Sequence, residues 1–195
     1  TGQSICFPCD GANEVGFHEC PGCSPGKFKV VTPAGCEGCA PGSYSDDTDL
    51  SSCKSCPFGF YKEEAPFTSC TPCPSGKVGV KKGSGKLEEC FNCPEGRFLD
   101  KEGVAAAQGA PPTVPLGDSL PPIVPCTECS RGKWNAVEGA SSAADCTSCL
   151  VGKYNNLPAQ TNVSACIACL PGFSSSVVGA STIEACLHCP QGYHQ

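Results

Sequence analysis

The chain has 195 residues, of which 20 are cysteine, 23 glycine and 19 proline, and its formal net charge is -6. Leu, Ile, Val and Phe together supply 35 residues, too few for burial alone to offset the conformational entropy of folding, which excludes an ordinary globular core. The 13 Lys and Arg are scattered and no apolar run approaches the roughly 18 residues that span a bilayer, so neither nucleic-acid binding nor direct membrane insertion is expected of this segment.

All 20 cysteines fall in ten C-x2-C pairs, which begin at Cys6, Cys20, Cys36, Cys53, Cys70, Cys90, Cys126, Cys146, Cys166 and Cys186. The opening interval, Cys9 to Cys20, stands apart. After every later pair a glycine lies three places beyond the second cysteine: Gly26, Gly42, Gly59, Gly76, Gly96, Gly132, Gly152, Gly172 and Gly192. Two places further come Phe28, Tyr44, Tyr61, Phe98, Trp134 and Tyr154, with Val78, Ser174 and His194 as the departures. Glycines held in one register imply a turn with positive φ or a close backbone approach, followed by a short strand whose ring forms a miniature core against the neighbouring disulfide. Gly139-Ala140-Ser141-Ser142 and Gly179-Ala180-Ser181-Thr182 are turn formers ahead of the next pairs. Each unit therefore reads as turn, short strand, polar loop and short strand. No 3.6-residue apolar period of useful length occurs, so almost no helix is expected.

Three stretches follow in chain order. Residues 1–98 carry the N-terminal cysteine-rich repeats, residues 99–125 a proline-rich insert within the sixth interval, and residues 126–195 regular repeats of 20 residues. Within the insert, Pro111, Pro112, Pro115, Pro121, Pro122 and Pro125 favour an extended polyproline II path. It reads as a semi-rigid linker, or as an arm whose Val114, Leu116, Leu120, Ile123 and Val124 lie along a neighbouring molecule. From Cys126 onward only seven residues are charged, against 21 in the first 98, and Ser, Thr, Asn and Ala take their place. Such a surface suits covalent glycans, O-linked on the Ser/Thr-rich loops or carried by modified prolines, or packing against other copies.

The segments Cys146-Thr147-Ser148-Cys149-Leu150-Val151-Gly152-Lys153-Tyr154, Cys36-Glu37-Gly38-Cys39-Ala40-Pro41-Gly42-Ser43-Tyr44 and Cys93-Pro94-Glu95-Gly96 resemble the tandem cysteine-rich repeats of the ephrin-receptor-like and tumour-necrosis-factor-receptor-like kind. The resemblance implies disulfide-stapled β-hairpins in elongated rods, used as receptor ectodomains, adhesins and surface scaffolds. The expected fold is therefore small and disulfide-rich, mostly short β-hairpins and irregular loops, arranged as an elongated rod of tandem repeats with almost no helix.

Connectivity cannot be read from the spacing alone, but hairpin geometry prefers one of two schemes. If each unit is a hairpin closed at its ends, the bridges are Cys9–Cys20, Cys23–Cys36, Cys39–Cys53, Cys56–Cys70, Cys73–Cys90, Cys93–Cys126, Cys129–Cys146, Cys149–Cys166 and Cys169–Cys186. The competing scheme links pair to pair, first cysteine to first and second to second. Under the hairpin scheme each loop of about 15 residues gains about 3 kcal/mol from the constrained unfolded chain. That scheme leaves Cys6 and Cys189 to bond outside these residues, either within a longer polypeptide or between molecules, as a Cys189–Cys6 bridge in a head-to-tail filament. Two C-x2-C pairs at this separation also describe a four-cysteine zinc site. The intervals do not alternate as site and linker would, so disulfides in an oxidising, extracellular compartment are the expectation and an intracellular tandem zinc protein the rival.

Little else is chemically suggestive. His18, His188 and His194 are the only imidazoles, the C-x2-C pairs lack the helical context of a thiol–disulfide oxidoreductase, and no catalytic, cofactor or metal residue is assigned. Asp46, Asp47 and Asp49 could attract calcium but lack the rest of its loop motif, so a solvated tip is expected. Asn162-Val163-Ser164 is a candidate N-glycosylation acceptor in a polar loop. The expected function is an extracellular structural or adhesive repeat protein, a subunit of a surface filament or matrix that contacts other copies of itself or surface proteins. The alternative is a receptor ectodomain that binds a protein ligand.

Overall fold

A computed structural model describes residues 22–31, 34–105 and 125–190. Cys6, Cys9, Cys20, His18, His194, Gly192 and most of the proline-rich insert lie outside the described residues. Among the described residues, eight two-stranded antiparallel hairpins follow one another. They pair Lys27–Val31 with Ala34–Gly38, Ser43–Tyr44 with Lys54–Ser55, Phe60–Tyr61 with Thr71–Pro72, and Lys77–Gly79 with Cys90–Asn92. Beyond these, Arg97–Phe98 pairs with Thr127–Glu128, Lys133–Trp134 with Thr147–Ser148, Lys153–Tyr154 with Ile167–Ala168, and Phe173–Ser174 with Leu187–His188. The helical content among the described residues is four three-residue 3-10 turns, so the fold is the disulfide-rich, nearly helix-free repeat that the cysteine register implies.

Every first strand starts directly after a registered glycine, and from Gly26 to Gly172 these eight have φ between 75° and 89°. Every hairpin is then closed by a disulfide from the second cysteine of one pair to the first of the next. The bridges are Cys23–Cys36, Cys39–Cys53, Cys56–Cys70, Cys73–Cys90, Cys93–Cys126, Cys129–Cys146, Cys149–Cys166 and Cys169–Cys186, with Cα–Cα distances of 5.5 to 5.9 Å. We number the hairpins repeats 1 to 8 by these bridges.

The chain divides into two compact units. One comprises Thr1–Cys73 and Gly79–Cys90, the other Pro74–Val78 and Phe91–Gln195. In both, sulfur occupies the interior: Cys23, Cys39, Cys56, Cys73, Cys93, Cys129, Cys149 and Cys169 are all buried. The position three places after the registered glycine is buried as well, at Ser45, Leu99, Asn135, Asn155 and Ser175. The rings one place earlier, Phe28, Tyr44, Tyr61, Phe98, Trp134 and Tyr154, are only half-buried, which differs from the expected aromatic core. Side chains alternate faces along a strand, so only one of the two adjacent positions can point inward. The interior between repeats is set by backbone-to-backbone hydrogen bonds, and that spacing admits a small or polar side chain more readily than a ring.

Candidate interaction surface

The surface is positioned by one set of hydrogen bonds that recurs from repeat to repeat. Between repeats 6 and 7, the Gly132 N–H donates to the Asn155 carbonyl (2.8 Å), the Asn135 N–H to the Gln160 carbonyl (2.9 Å) and the Ala159 N–H to the Cys129 carbonyl (2.9 Å). Between repeats 7 and 8, Gly152, Asn155 and Gly179 donate to the carbonyls of Ser175 (2.8 Å), Ala180 (3.0 Å) and Cys149 (2.8 Å). Between repeats 5 and 6, Gly96, Leu99 and Gly139 donate to Asn135 (2.8 Å), Ala140 (3.0 Å) and Cys93 (2.8 Å). In the first unit, Lys62 and Gly83 of adjacent repeats make the corresponding bonds to Ser84 (3.0 Å) and Cys56 (2.8 Å). The half-buried aromatic positions take part through their backbone, in parallel bridges Tyr61 to Ser84, Trp134 to Gln160 and Tyr154 to Ala180.

Contacts also reach two repeats along. A Cβ on Gly132 would fall on the carbonyl oxygen of Gly179 in repeat 8, and one on Gly96 would fall on the carbonyl of Ala159 in repeat 7. At Gly96 and Gly132 the glycine is thus required twice, by its positive φ and by the turn seated against it, whereas Gly152 and Gly172 face open space. The buried asparagines complete the junctions. Asn155 donates through Nδ2 to the Lys133 carbonyl of the preceding repeat (3.0 Å) and accepts from the Leu157 N–H (3.0 Å). Asn135 likewise donates through Nδ2 to the Arg97 carbonyl of the preceding repeat (3.4 Å), and within its own repeat it donates to the Val137 carbonyl (3.1 Å) and accepts from the Val137 N–H (2.9 Å). No buried side-chain nitrogen or oxygen among the described residues lacks a partner.

In the second unit exposed aliphatic side chains recur at equivalent positions of this register. Val137, Leu157 and Val177 occupy one position in repeats 6, 7 and 8, and Val163 and Ile183, Ile167 and Leu187, and Leu150 and Leu170 occupy three more; all nine are exposed, between 48% and 70%. Exposed aliphatic side chains that recur at the same repeat positions, on a stretch that carries few charges, are candidates for an interaction surface.

The other residues singled out in the sequence serve local structure. Asp46 pairs with Lys54 (2.6 Å), whose ammonium holds its carboxyl below the ordinary range. Asp47 accepts from the Thr48 N–H, and Asp49 accepts from the Cys23 N–H (3.1 Å), so the three aspartates face different partners. Glu89 meets Lys81 at 3.0 Å, and that ammonium holds its carboxyl below the ordinary range. The His188 ring lies on Phe173, centroids 4.1 Å apart. Cys189 is the free cysteine among the described residues and is half-buried, with its N–H on the Gly172 carbonyl (2.9 Å). The sulfurs of the sixteen bridged cysteines are bonded to one another, an arrangement that a zinc site does not have, and no cluster of three His, Cys, Asp or Glu suited to a metal occurs among the described residues.

The turns expected at Gly139 and Gly179 are present, with φ of 71° and 74°, and the same turn recurs at Asp49, Gly83 and Ala159, which the composition does not single out; nor does it single out the buried position held by Ser45, Asn135, Asn155 and Ser175. Both keep the cysteine register, which was the available signal. Residues 42–90 and 140–186 match the family model described as tyrosine-protein kinase ephrin type A/B receptor-like. No curated protein matches the chain.

Proposed function

We propose that this chain, which carries tandem ephrin-receptor-like cysteine-rich repeats, is an extracellular structural and adhesive protein whose stacked repeats hold an aliphatic face for contact with further copies of itself or with surface proteins. The family and the disulfides together point to an extracellular or cell-surface domain, because such bonds persist in oxidising compartments. The observation that carries the finer reading is the repeated junction. The same backbone bonds recur from one repeat to the next, so exposed side chains at equivalent positions stand on equivalent backbone. Such a surface is suited to extended contact and not to enclosing a small substrate, and the titratable side chains face separate local partners instead of converging.

Sedimentation and negative-stain electron microscopy of natively purified protein over a range of concentrations test this reading. Self-association that is lost in a Leu150→Ser/Leu170→Ser variant with intact disulfides is the expected result. The family match also favours a second reading, a receptor ectodomain for a protein ligand. A chain that stays monomeric throughout, yet forms a complex of fixed stoichiometry with a soluble protein, would establish that reading in place of the first.

A further inference from the structure

Asn162-Val163-Ser164 is the chain's one Asn-x-Ser/Thr sequence without proline at the middle position, and the fold gives it a defined place. Asn162 is exposed and caps the 3-10 turn Val163–Ala165 that leads into Cys166, with extended backbone at φ -137° and ψ 148°. Its Oδ1 accepts the Ser164 N–H at 2.9 Å. Repeat 6 fills the same position with Ser142, whose hydroxyl oxygen accepts the Ala144 N–H at 2.9 Å, whereas Thr182 in repeat 8 makes no side-chain cap bond. The turn therefore forms with a side-chain oxygen as its cap or with none, and the cap at Asn162 uses only Oδ1 of that side chain. A cap that uses Oδ1 leaves Nδ2 out of its hydrogen bond, so a substituent on that nitrogen breaks no contact that holds the turn.

From this geometry we propose that Asn162 is an N-glycosylation site and that the folded repeat accommodates an oligosaccharide on Nδ2. The proposal rests on the extracellular reading, because the transfer takes place along the secretory route. In that transfer the Nδ2–C1 bond forms and the sugar C1–oxygen bond of a lipid-diphosphate oligosaccharide donor breaks. The lipid diphosphate leaves, the amide proton passes to a base, and nothing is oxidised or reduced. An attached glycan emerges beside the exposed Val163, so sugar and partner surface compete for repeat 7.

The test is to produce the whole chain in secreting eukaryotic cells and map its peptides by mass before and after peptide-N-glycosidase treatment. The expected result is a hexosamine-containing adduct on the Asn162 peptide, which the enzyme removes to leave aspartate at that position. Asn162→Gln and Ser164→Ala should abolish it, and Ser164→Thr should keep it. Ser164→Ala retains the backbone N–H that the cap uses, so its loss of sugar reports on the site and not on folding. A secreted, fully disulfide-bonded chain with unmodified Asn162 would overturn the proposal and leave the extracellular reading standing. A chain retained in the cell with its cysteines reduced would overturn that reading and this proposal with it.

Discussion

The side-chain nitrogen of Asn155 donates to the backbone carbonyl of Lys133, 22 residues earlier, at 3.0 Å. The side chain is 2% exposed, and its oxygen at the same time holds the Leu157 N–H, so one amide closes the junction between repeats 6 and 7 and the loop of repeat 7. Asn155→Ala leaves a carbonyl and an N–H without these partners, a loss of about 1–3 kcal/mol. Asn155→Asp should cost more, because it sets a carboxylate oxygen against the Lys133 carbonyl. Hydrogen exchange is the direct measure: protection of the Gly132 and Asn155 amides should fall by about 10- to 100-fold in the alanine variant, at roughly 1.4 kcal/mol per tenfold.

Gly132 and Gly152 separate the two demands made on the registered glycine. Their φ angles are close, 81° and 77°, but a Cβ on Gly132 meets the Gly179 carbonyl whereas one on Gly152 meets nothing within 4 Å. Gly152→Ala should therefore lose only the left-handed penalty of about 1–2 kcal/mol. Gly132→Ala adds a clash with backbone that has no rotamer to relieve it, and should open the packing between repeats 6 and 8. Limited proteolysis and thermal unfolding of the two variants, with disulfides intact, give the comparison; equal losses would refute a role for the close approach.

The sequence showed the pieces of this fold better than the way they join. Ten cysteine pairs and their trailing glycines announced tandem hairpins with almost no helix, because cysteine pairing and positive φ act within one repeat and leave a local mark. The second-to-first bridging was preferred on hairpin geometry alone, since C-x2-C spacing is compatible with both schemes. The position after the ring was passed over because Ser45, Lys62, Leu99, Asn135 and Ser175 share no chemistry that a pattern would register. What they share is a backbone amide or carbonyl directed at a neighbouring repeat, which is visible only once the repeats are stacked. The exposed aliphatic positions are inconspicuous for a related reason: Leu157 and Val177 read as ordinary loop residues, and their exposure is a property of the fold.

Ala159 occupies the second turn of repeat 7 with φ 54°, where repeats 4, 6 and 8 have Gly83, Gly139 and Gly179 at 70°, 71° and 74°. Its N–H still makes the junction bond to the Cys129 carbonyl at 2.9 Å, so the geometry is imposed in spite of the side chain. Ala159→Gly relieves about 1–2 kcal/mol of left-handed strain and gives back about 0.5–1 kcal/mol in unfolded-chain entropy. A modest net gain is expected, read as a higher midpoint in thermal or denaturant unfolding under non-reducing conditions. A fall in the midpoint would show that the methyl group contributes packing that outweighs the strain.

Because buried sulfur replaces an apolar core, the repeats should come apart when sulfur bonding is lost and in no other simple way. Cys149 and Cys166 are 1% and 6% exposed, and their bridge closes a separation of 17 residues. A Cys149→Ser/Cys166→Ser double variant forfeits about 3 kcal/mol of constraint on the unfolded chain. It also places two hydroxyls where the buried disulfide was. Cleavage by protease should then concentrate between residues 150 and 165 while the other repeats stay protected, since each hairpin keeps its own closure. Full reduction should extend cleavage to every repeat, and a chelator alone should change nothing. Protection that survived reductant and vanished with chelator would mean that metal ligation, and not disulfide closure, holds these hairpins.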